Sequence, residues 1–271
     1  MNHPIAFSTL ACPEWGIQKI ISEAEHYGYN GIEWRGGHEG HVQPEMSREM
    51  IRMICQQMDD HGLFSLAITA YTSFVSPDKR ERLENLDALK SYLNLAAEIG
   101  AGNVRVFLGE LPAGTSVEAT HPLIVDCLQA ALELASSLGV TIAIEPHDDF
   151  VRSTTIVPVL EGIVHDRLKV IWDVGNTYAA GEAPEVSFPL LLNRIAYLHI
   201  KDGRRLGAEW QLCPLGQGEV PLSKIFNWLV NAGFNGAVSI EWERAWHREL
   251  DPPELALPAG LHVVQSLWSR N

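Results

Sequence analysis

The chain has 271 residues, of which 46% are hydrophobic. It can therefore bury one large core, and α/β barrels typically have about 250 residues in a single domain. Its 34 acidic residues exceed its 20 basic ones and give a formal net charge of -14. Nucleic acid is excluded as an expected partner because this charge repels a phosphate backbone. We predict one domain over residues 1–271.

Cysteine usage and the amino-terminal segment indicate the compartment. The four cysteines are far apart and form no C-x-x-C pair: Cys12, Cys55, Cys127 and Cys213. This spacing favours free thiols in a reducing compartment. The segment MNHPIAFSTLACPEWG has no basic start, and Ser8 and Thr9 interrupt its apolar run, so it resembles neither a signal peptide nor a membrane anchor. We predict a cytoplasmic protein that does not bind a membrane.

Short apolar segments with strand-forming residues occur eight times along the chain. In order they are Ile5 to Leu10, Gly31 to Arg35, Phe64 to Ala70, Asn103 to Leu108, Val140 to Glu145, Leu168 to Asp173, Ile195 to Lys201 and Ala237 to Glu241. Helical periodicity follows in Glu14 to Tyr27, Glu45 to Asp60, Lys79 to Ile99, Glu118 to Leu138, Leu222 to Asn231 and Leu257 to Trp268. Near-continuous apolar strands are typical of burial on both faces. The alternation predicts an α/β fold, a closed (β/α)8 TIM barrel.

An open doubly wound sheet is the alternative arrangement of such elements. It would usually carry a Gly-rich phosphate-binding turn after the first strand, but the chain has Ala11-Cys12-Pro13-Glu14 there. The sequence has no G-x-G-x-x-G before the first helix and no P-loop motif, so it gives no support to nucleotide binding. The segment Gly203 to Val220 is a long insertion after the seventh strand, and we expect it to cover the site.

Four consecutive predicted strands end in a side chain that can bind a metal ion: Glu145, Asp173, His199 and Glu241. Their separations of 28, 26 and 42 residues fit one strand-helix unit each. The carboxyl ends of barrel strands surround one axial cavity, so these side chains should converge. Three carboxylates and one imidazole suit a divalent cation, with Mn²⁺ as the first candidate and Mg²⁺, Co²⁺ or Zn²⁺ as alternatives.

The motifs IAIEPH, WDVGNTYAAGE, LHIKDGR with PLGQGEVPL, and GAVSIEWE resemble the xylose-isomerase-like TIM-barrel superfamily over essentially the whole chain. That superfamily holds sugar isomerases, keto-sugar 3-epimerases, hydroxypyruvate isomerases and inosose dehydratases. The resemblance implies that the four residues bind the metal ion and that Glu145 and Glu241 are also catalytic, acting as acid and base on opposite faces of the substrate. It also suggests a homodimer or homotetramer.

The chemistry agrees with this assignment. Removing a proton from a carbon next to a carbonyl requires a base within hydrogen-bond reach, and a cation stabilises the resulting enediolate. Returning the proton to the other face gives epimerisation, and returning it to the neighbouring carbon gives isomerisation. Loss of a β-hydroxyl group instead gives dehydration, so the four ligands do not separate these reactions.

Further residues near the strand ends are candidate substrate contacts: His147, Asn176, Lys201, Arg205, Trp15 and Phe107. Asn176 stands where many epimerases have a histidine, and Arg205 is a contact that only the resemblance implies. Lys201 shares the inward face with His199, where it could pair with a carboxylate or neutralise an oxyanion. Asp202 is expected to orient a metal ligand by hydrogen bonding.

Charged residues inside the second and fourth strands have two interpretations. We favour structural ion pairs among Glu33, Arg35 and Arg105, and the alternative is that either arginine binds a substrate carboxylate or phosphate. Trp242 and Tyr71 are further aromatic residues near strand ends.

The leading hypothesis is a metal-dependent isomerase or epimerase of a small ketose or related keto-polyol, with a keto-cyclitol dehydratase as the alternative. An endonuclease would require more histidines and a basic face. A metal-independent glycosidase leaves Asp173 and His199 unexplained, and a non-catalytic sugar-binding barrel stays open.

Overall fold

The computed structural model describes residues 3–269. Ten strands occur in chain order: β1 (Ile5–Ser8), β2 (Gly31–Arg35), β3 (Phe64–Thr69), β4 (Asn103–Val106), β5 (Thr141–Ile144), β6 (Leu168–Asp173), β7 (Ile195–Ile200), β8 (Asp202–Leu206), β9 (Glu209–Cys213) and β10 (Val238–Ile240). All except β8 and β9 pair in parallel and close a barrel in the order β1-β10-β7-β6-β5-β4-β3-β2. The predicted single-domain TIM barrel is therefore confirmed.

Helices surround the barrel: α1 (Ile17–Tyr27), α2 (Arg48–Asp60), α3 (Lys79–Glu98), α4 (Val117–Leu138), α5 (Ser153–Gly162), α6 (Val174–Ala179), α7 (Pro184–Leu191), α8 (Leu222–Asn231) and α9 (Pro253–Ser269). The prediction missed α5, α6 and α7. Both α5, with 10 residues, and α7, with 8, are short and contain a proline, whereas α4 and α9 also contain proline but are long enough, at 22 and 17 residues, to show a periodic pattern. The helix α6 has only six residues, too few for a periodic pattern, and begins directly after β6 with Asp173 as its N-cap.

The predicted insertion contains a hairpin. Strands β8 and β9 pair antiparallel, and Asp202 faces Cys213 at the end of the ladder nearest the barrel. The hairpin therefore rises directly from the carboxyl end of β7, next to the side chains that the barrel gathers there.

Two apolar layers hold the barrel together. The larger lies between strands and helices, and the smaller fills the barrel interior with Ala6, Leu66, Ala67, Ala143, Ile171, Tyr197 and Ala237. Because strand side chains alternate, residues two positions beyond the inner ones also face inward. The inward faces of Ala143, Ile171 and Tyr197 thus place Glu145, Asp173 and His199 at the carboxyl end of the interior, as the alternation predicts.

Two further features of the described residues concern their helices and their cysteines. No helix within residues 3–269 has the length and apolar character needed to cross a membrane. The four cysteines are all free thiols.

Candidate metal centre

Four side chains converge at the carboxyl ends of β5, β6, β7 and β10. Glu145, Asp173, His199 and Glu241 are buried, and one ligand atom of each lies within 4.8 Å of the others. The strand register accounts for part of this convergence, because Asp173 on β6 and Ser239 on β10 both pair with His199 on β7, and Glu241 follows Ser239 by two residues. The structure therefore brings together all four residues that the sequence predicts as ligands.

The distances fit one divalent cation. His199 Nδ1 lies 3.2 Å from Glu145 Oε1, 3.5 Å from Glu241 Oε1 and 3.8 Å from Asp173 Oδ2. Ligand atoms about 2.1 Å from the centre of a tetrahedron lie about 3.4 Å apart, close to these values. Asp173 Oδ2 is buried and accepts no well-aligned hydrogen bond, although the Lys201 ammonium lies 2.9 Å from it as an ion-pair partner. The donor set and its geometry fit a metal ion.

Glu33 orients the imidazole from within β2. Its Oε1 lies 2.8 Å from His199 Nε2 and accepts the Tyr197 hydroxyl at 2.7 Å, while Oε2 accepts the Ser239 hydroxyl at 2.7 Å. Although burial opposes ionisation, His199, Tyr197 and Ser239 hold the pKa of Glu33 below its ordinary value. A proton on Nε2 shared with a carboxylate leaves Nδ1 free to bind metal, a common arrangement for metal-binding histidines.

Two cations partly neutralise the buried carboxylates. The Arg105 guanidinium donates from Nη1 to Glu145 Oε2 at 2.7 Å, and only 2% of its side chain is exposed. The Lys201 ammonium lies 2.9 Å from Asp173 Oδ2, 2.6 Å from Glu241 Oε2 and 2.5 Å from Glu243 Oε1. The expected ion pairing of Arg105 is therefore present, but its partner is a predicted metal ligand and not Glu33.

The two glutamates differ in the metal-free protein. Burial opposes ionisation of Glu145, but Arg105, His199 and Lys201 outweigh it and keep the pKa of Glu145 well below its ordinary value. Burial dominates at Glu241 and raises its pKa to about 7, because Lys201 and His199 compensate it only in part. Near neutral pH, Glu145 is therefore held ionised, whereas Glu241 binds a proton more readily, although both are glutamate carboxyl groups in one cluster.

A small cavity of about 130 Å³, called here the reaction cavity, opens onto this cluster. Its lining residues are Leu10, Tyr71, Arg105, Phe107, Glu145, His147, Lys201, Glu241, Glu243 and Trp246. The predicted contacts His147, Lys201 and Phe107 all lie here, and Phe107 stacks on the His147 ring with centroids 4.2 Å apart. Burial lowers the pKa of His147, but its hydrogen bond to Asp148 and the charge of Glu145 raise it overall.

Three predicted substrate contacts lie elsewhere. Trp15 is buried beneath Lys19, whose ammonium is 4.2 Å from the ring centroid. Arg205 donates to the carbonyl of Ala179 and lines a separate surface cavity. Asn176 donates to the carbonyl of Pro146 and lines a second cavity beside the reaction cavity.

The expectation for Asp202 was wrong. Its carboxylate accepts four backbone N–H groups, from Gly203, Gly216, Gly218 and Val220, at 2.9 to 3.1 Å. These bonds fix both ends of the insertion, and a negative charge is the natural acceptor for converging N–H groups. Glu33 takes the role assigned to Asp202.

Sequence reasoning also missed three residues of the reaction cavity, Leu10, Glu243 and Trp246. Glu243 pairs with Lys201, and Trp246 is 52% exposed, with its ring 4.6 Å from the Arg35 guanidinium. Both follow β10, in EWERAW. The period of two that finds Glu241 also puts Glu243 on the inward side, and this was the one available signal.

Comparison with known proteins agrees with this architecture. The family model for the xylose isomerase-like TIM barrel matches residues 21–267. Fructoselysine 3-epimerase of Escherichia coli O157:H7 is 22% identical over 235 residues, which cover 83% of this chain and 85% of that protein. Hydroxypyruvate isomerase of Escherichia coli (strain K12) is 19% identical over 242 residues, which cover 85% and 89%. A crystal structure of IOLI protein with a bound zinc atom has a TM-score of 0.81 at 20% identity and 98% coverage of both chains. The chain belongs to the xylose isomerase-like TIM-barrel family.

Proposed function

We propose that the protein is a divalent-metal-dependent epimerase or isomerase of a ketose or related keto-polyol. The observation that carries this proposal is the placement of two buried glutamates, Glu145 and Glu241, at one small cavity among donor atoms that fit a cation. Two carboxyl groups at one cavity can take a proton from a substrate carbon and donate one to it. The names of the relatives, fructoselysine 3-epimerase and hydroxypyruvate isomerase, support this reaction class.

The mechanism follows from the positions of the side chains. One glutamate removes the proton from the carbon next to the substrate carbonyl and keeps it, and the other, protonated beforehand, donates its own proton to the opposite face or to the neighbouring carbon. His147 lines the same cavity and can donate a hydrogen bond to a substrate oxygen, while Lys201 is held by Asp173, Glu241 and Glu243 and offsets part of their charge. A bound divalent cation would stabilise the negative charge that develops on the substrate oxygens. Glu145, Asp173, His199 and Glu241 would hold it.

Manganese is our first choice of metal. Three carboxylates with one imidazole form a mainly hard, oxygen-rich donor set, which suits Mn²⁺ or Mg²⁺. The zinc in the IOLI structure supports Zn²⁺ as a second choice.

A keto-cyclitol dehydratase on the same residues is the second candidate. His147 favours it, because this partly exposed side chain is hydrogen-bonded to Asp148 and lies beside Glu145, so it can protonate a departing hydroxyl group. We also propose a cytoplasmic location, on the basis of the four free thiols. A homodimer or homotetramer stays a prediction.

Solvent-deuterium incorporation followed by NMR tests the proposal. The Mn²⁺-loaded protein is incubated in D₂O with a panel of ketoses, hydroxypyruvate and an inosose, and Glu241→Gln is the control. We expect deuterium at one carbon of a substrate and its loss in the variant at equal metal content. Elimination of water without an epimeric product would select the dehydratase. Binding without deuterium exchange or elimination across the panel would refute proton transfer.

A further inference from the structure

A second cavity adjoins the reaction cavity. It measures about 450 Å³ and is called here the hairpin cavity, because β9 supplies Trp210 and Gln211 to its wall. The loop after β10 also lines it, with Glu243, His247, Glu249 and Leu250. Lys201 and Glu243 line both cavities, so the two meet at these side chains. A molecule that reacts at Glu145 and Glu241 can therefore extend past Lys201 toward the hairpin.

The sizes of the two cavities suggest how a substrate is divided between them. Small-molecule sites usually measure roughly 300–1000 Å³. The reaction cavity, at about 130 Å³, is smaller than this and suits the reacting carbons with their oxygens. With the hairpin cavity, at about 450 Å³, the available space falls inside the usual range. The second cavity therefore provides the volume for the part of a substrate that does not react.

The charges around the hairpin cavity restrict what can bind there. Glu209, Glu243 and Glu249 line it, and its cationic side chains are already engaged. Lys201 pairs with Glu243, and His247 Nδ1 lies 3.4 Å from Glu249. Phosphate groups are normally bound by arginine, lysine or backbone N–H groups that have no other partner. The lining of the hairpin cavity offers no lysine or arginine without an ion-pair partner.

The hairpin cavity also offers a surface for an uncharged group. Trp210 is half-buried, and an indole ring packs well against the apolar face of a sugar. Gln211 and Asn176 also line the cavity, and their amide groups can form hydrogen bonds with hydroxyls.

We infer, resting on the proposed function, that the hairpin cavity binds the non-reacting end of an extended keto-sugar. That end carries hydroxyl or amine groups and no phosphate. The site selects substrates by length and by the charge of this end, while the reaction cavity performs the proton transfer.

Matched ketoses test this inference with the Mn²⁺-loaded protein. The free sugar is D-fructose. Isomaltulose extends it at O6 with a glucosyl group, to be compared with D-fructose 6-phosphate, and 1-deoxy-1-methylamino-D-fructose extends C1, to be compared with D-fructose 1-phosphate. For at least one of the two extension sites, O6 or C1, we expect the ketose with the phosphate-free extension to have a kcat/KM for deuterium exchange about tenfold above that of D-fructose. The matched phosphate ester should fall below D-fructose. A phosphate ester that outperforms its matched partner would overturn the inference.

Variants separate substrate binding from structural support. Trp210→Ala should lower kcat/KM about tenfold for the extended ketose and clearly less for D-fructose, and Trp210→Phe should restore most of the loss. Glu249→Lys should improve the phosphate ester severalfold, whereas Glu133→Lys, an equal charge change at an exposed site on α4, should not. Equal losses on the extended and free sugars in Trp210→Ala would mean that Trp210 only supports the hairpin.

If no ketose exchanges deuterium, the proposed function fails, and the hairpin cavity is then judged by binding alone. Calorimetric titration of the same sugars into wild type and Trp210→Ala gives this result. Weaker binding of isomaltulose or the methylamino sugar in the variant would support the cavity, and identical affinities would overturn it.

Discussion

Replacing Glu33 tests the metal centre without removing a ligand. Glu33 is fully buried and accepts hydrogen bonds from Tyr197 and Ser239, while its Oε1 meets His199 Nε2 at 2.8 Å. This contact keeps a proton on Nε2 and turns Nδ1 toward the three carboxylates. Glu33→Gln preserves the size of the side chain but removes its charge and one of its two accepting atoms. We expect weaker metal binding in a folded protein.

The structure sets the size of this effect. Replacing a residue that supports a metal-binding histidine typically weakens affinity about 10- to 100-fold, which is about 1.4 to 2.7 kcal/mol. The glutamine oxygen can still face His199 and Tyr197, since Glu33 serves both with a single oxygen. The amide nitrogen then faces Ser239, whose hydroxyl can rotate to accept. The loss should therefore lie near tenfold, at the lower end of the range.

Competition with a chromogenic chelator measures the Mn²⁺ affinity of wild type, Glu33→Gln and a control, Glu49→Gln. Glu49 is exposed on α2, so its variant makes the same chemical change away from the site. Circular dichroism at the assay temperature verifies that each protein is folded. An affinity of Glu33→Gln within about twofold of wild type would refute the role of Glu33 in orienting His199.

Three further predictions concern stability. Arg105→Met leaves Glu145 buried without its cation and should cost about 3 kcal/mol in urea unfolding of the metal-free protein; a loss below about 1 kcal/mol would contradict this. Burial, reinforced by the charge of Arg35, lowers the pKa of His41 from 6.5 to about 4. Between pH 4 and pH 6.5 the His41 imidazole is therefore protonated in the unfolded state and neutral in the folded state. The contribution of His41 to stability should be constant above pH 6.5 and should fall by about 3 kcal/mol toward pH 4. The difference in stability between wild type and His41→Gln, measured by urea unfolding, should therefore shrink as the pH falls, and a difference that does not change with pH would contradict this. Asp202→Ala removes the acceptor of four backbone N–H groups and should speed proteolysis within residues 203–220, with little change in the melting temperature of the barrel; unchanged cleavage would refute it.

The strand ends were predictable because each depends on local sequence. Apolar runs identify the strands, and the alternation of side chains then fixes which residue closes each inward face. This is sufficient to find Glu145, Asp173, His199 and Glu241. The missed helices have local causes too, since α5 and α7 are only 10 and 8 residues long and each contains a proline that lowers helix propensity.

The partners of these residues were not predictable, because they depend on contacts between distant parts of the chain. Glu33 lies 166 residues before His199, and in the sequence it is only a carboxylate in an apolar strand near two arginines. Glu33 contacts the His199 imidazole only because the strands close into a barrel. Asp202 shows the converse, because its neighbours in sequence suggested a role beside the metal, whereas the course of the insertion surrounds it with N–H groups.

Without a metal ion, a proton on His199 and the Lys201 ammonium supply the positive charge that balances the carboxylates. Burial lowers the pKa of His199, but Glu33, Glu241 and Glu145 outweigh it and raise that pKa well above its ordinary value. An imidazolium at this position places positive charge at Nδ1, among the three carboxylates. A metal ion needs the lone pair of the same nitrogen, so it must displace this proton. The carboxylates that attract the cation also hold the proton that competes with it, and metal affinity therefore rises with pH.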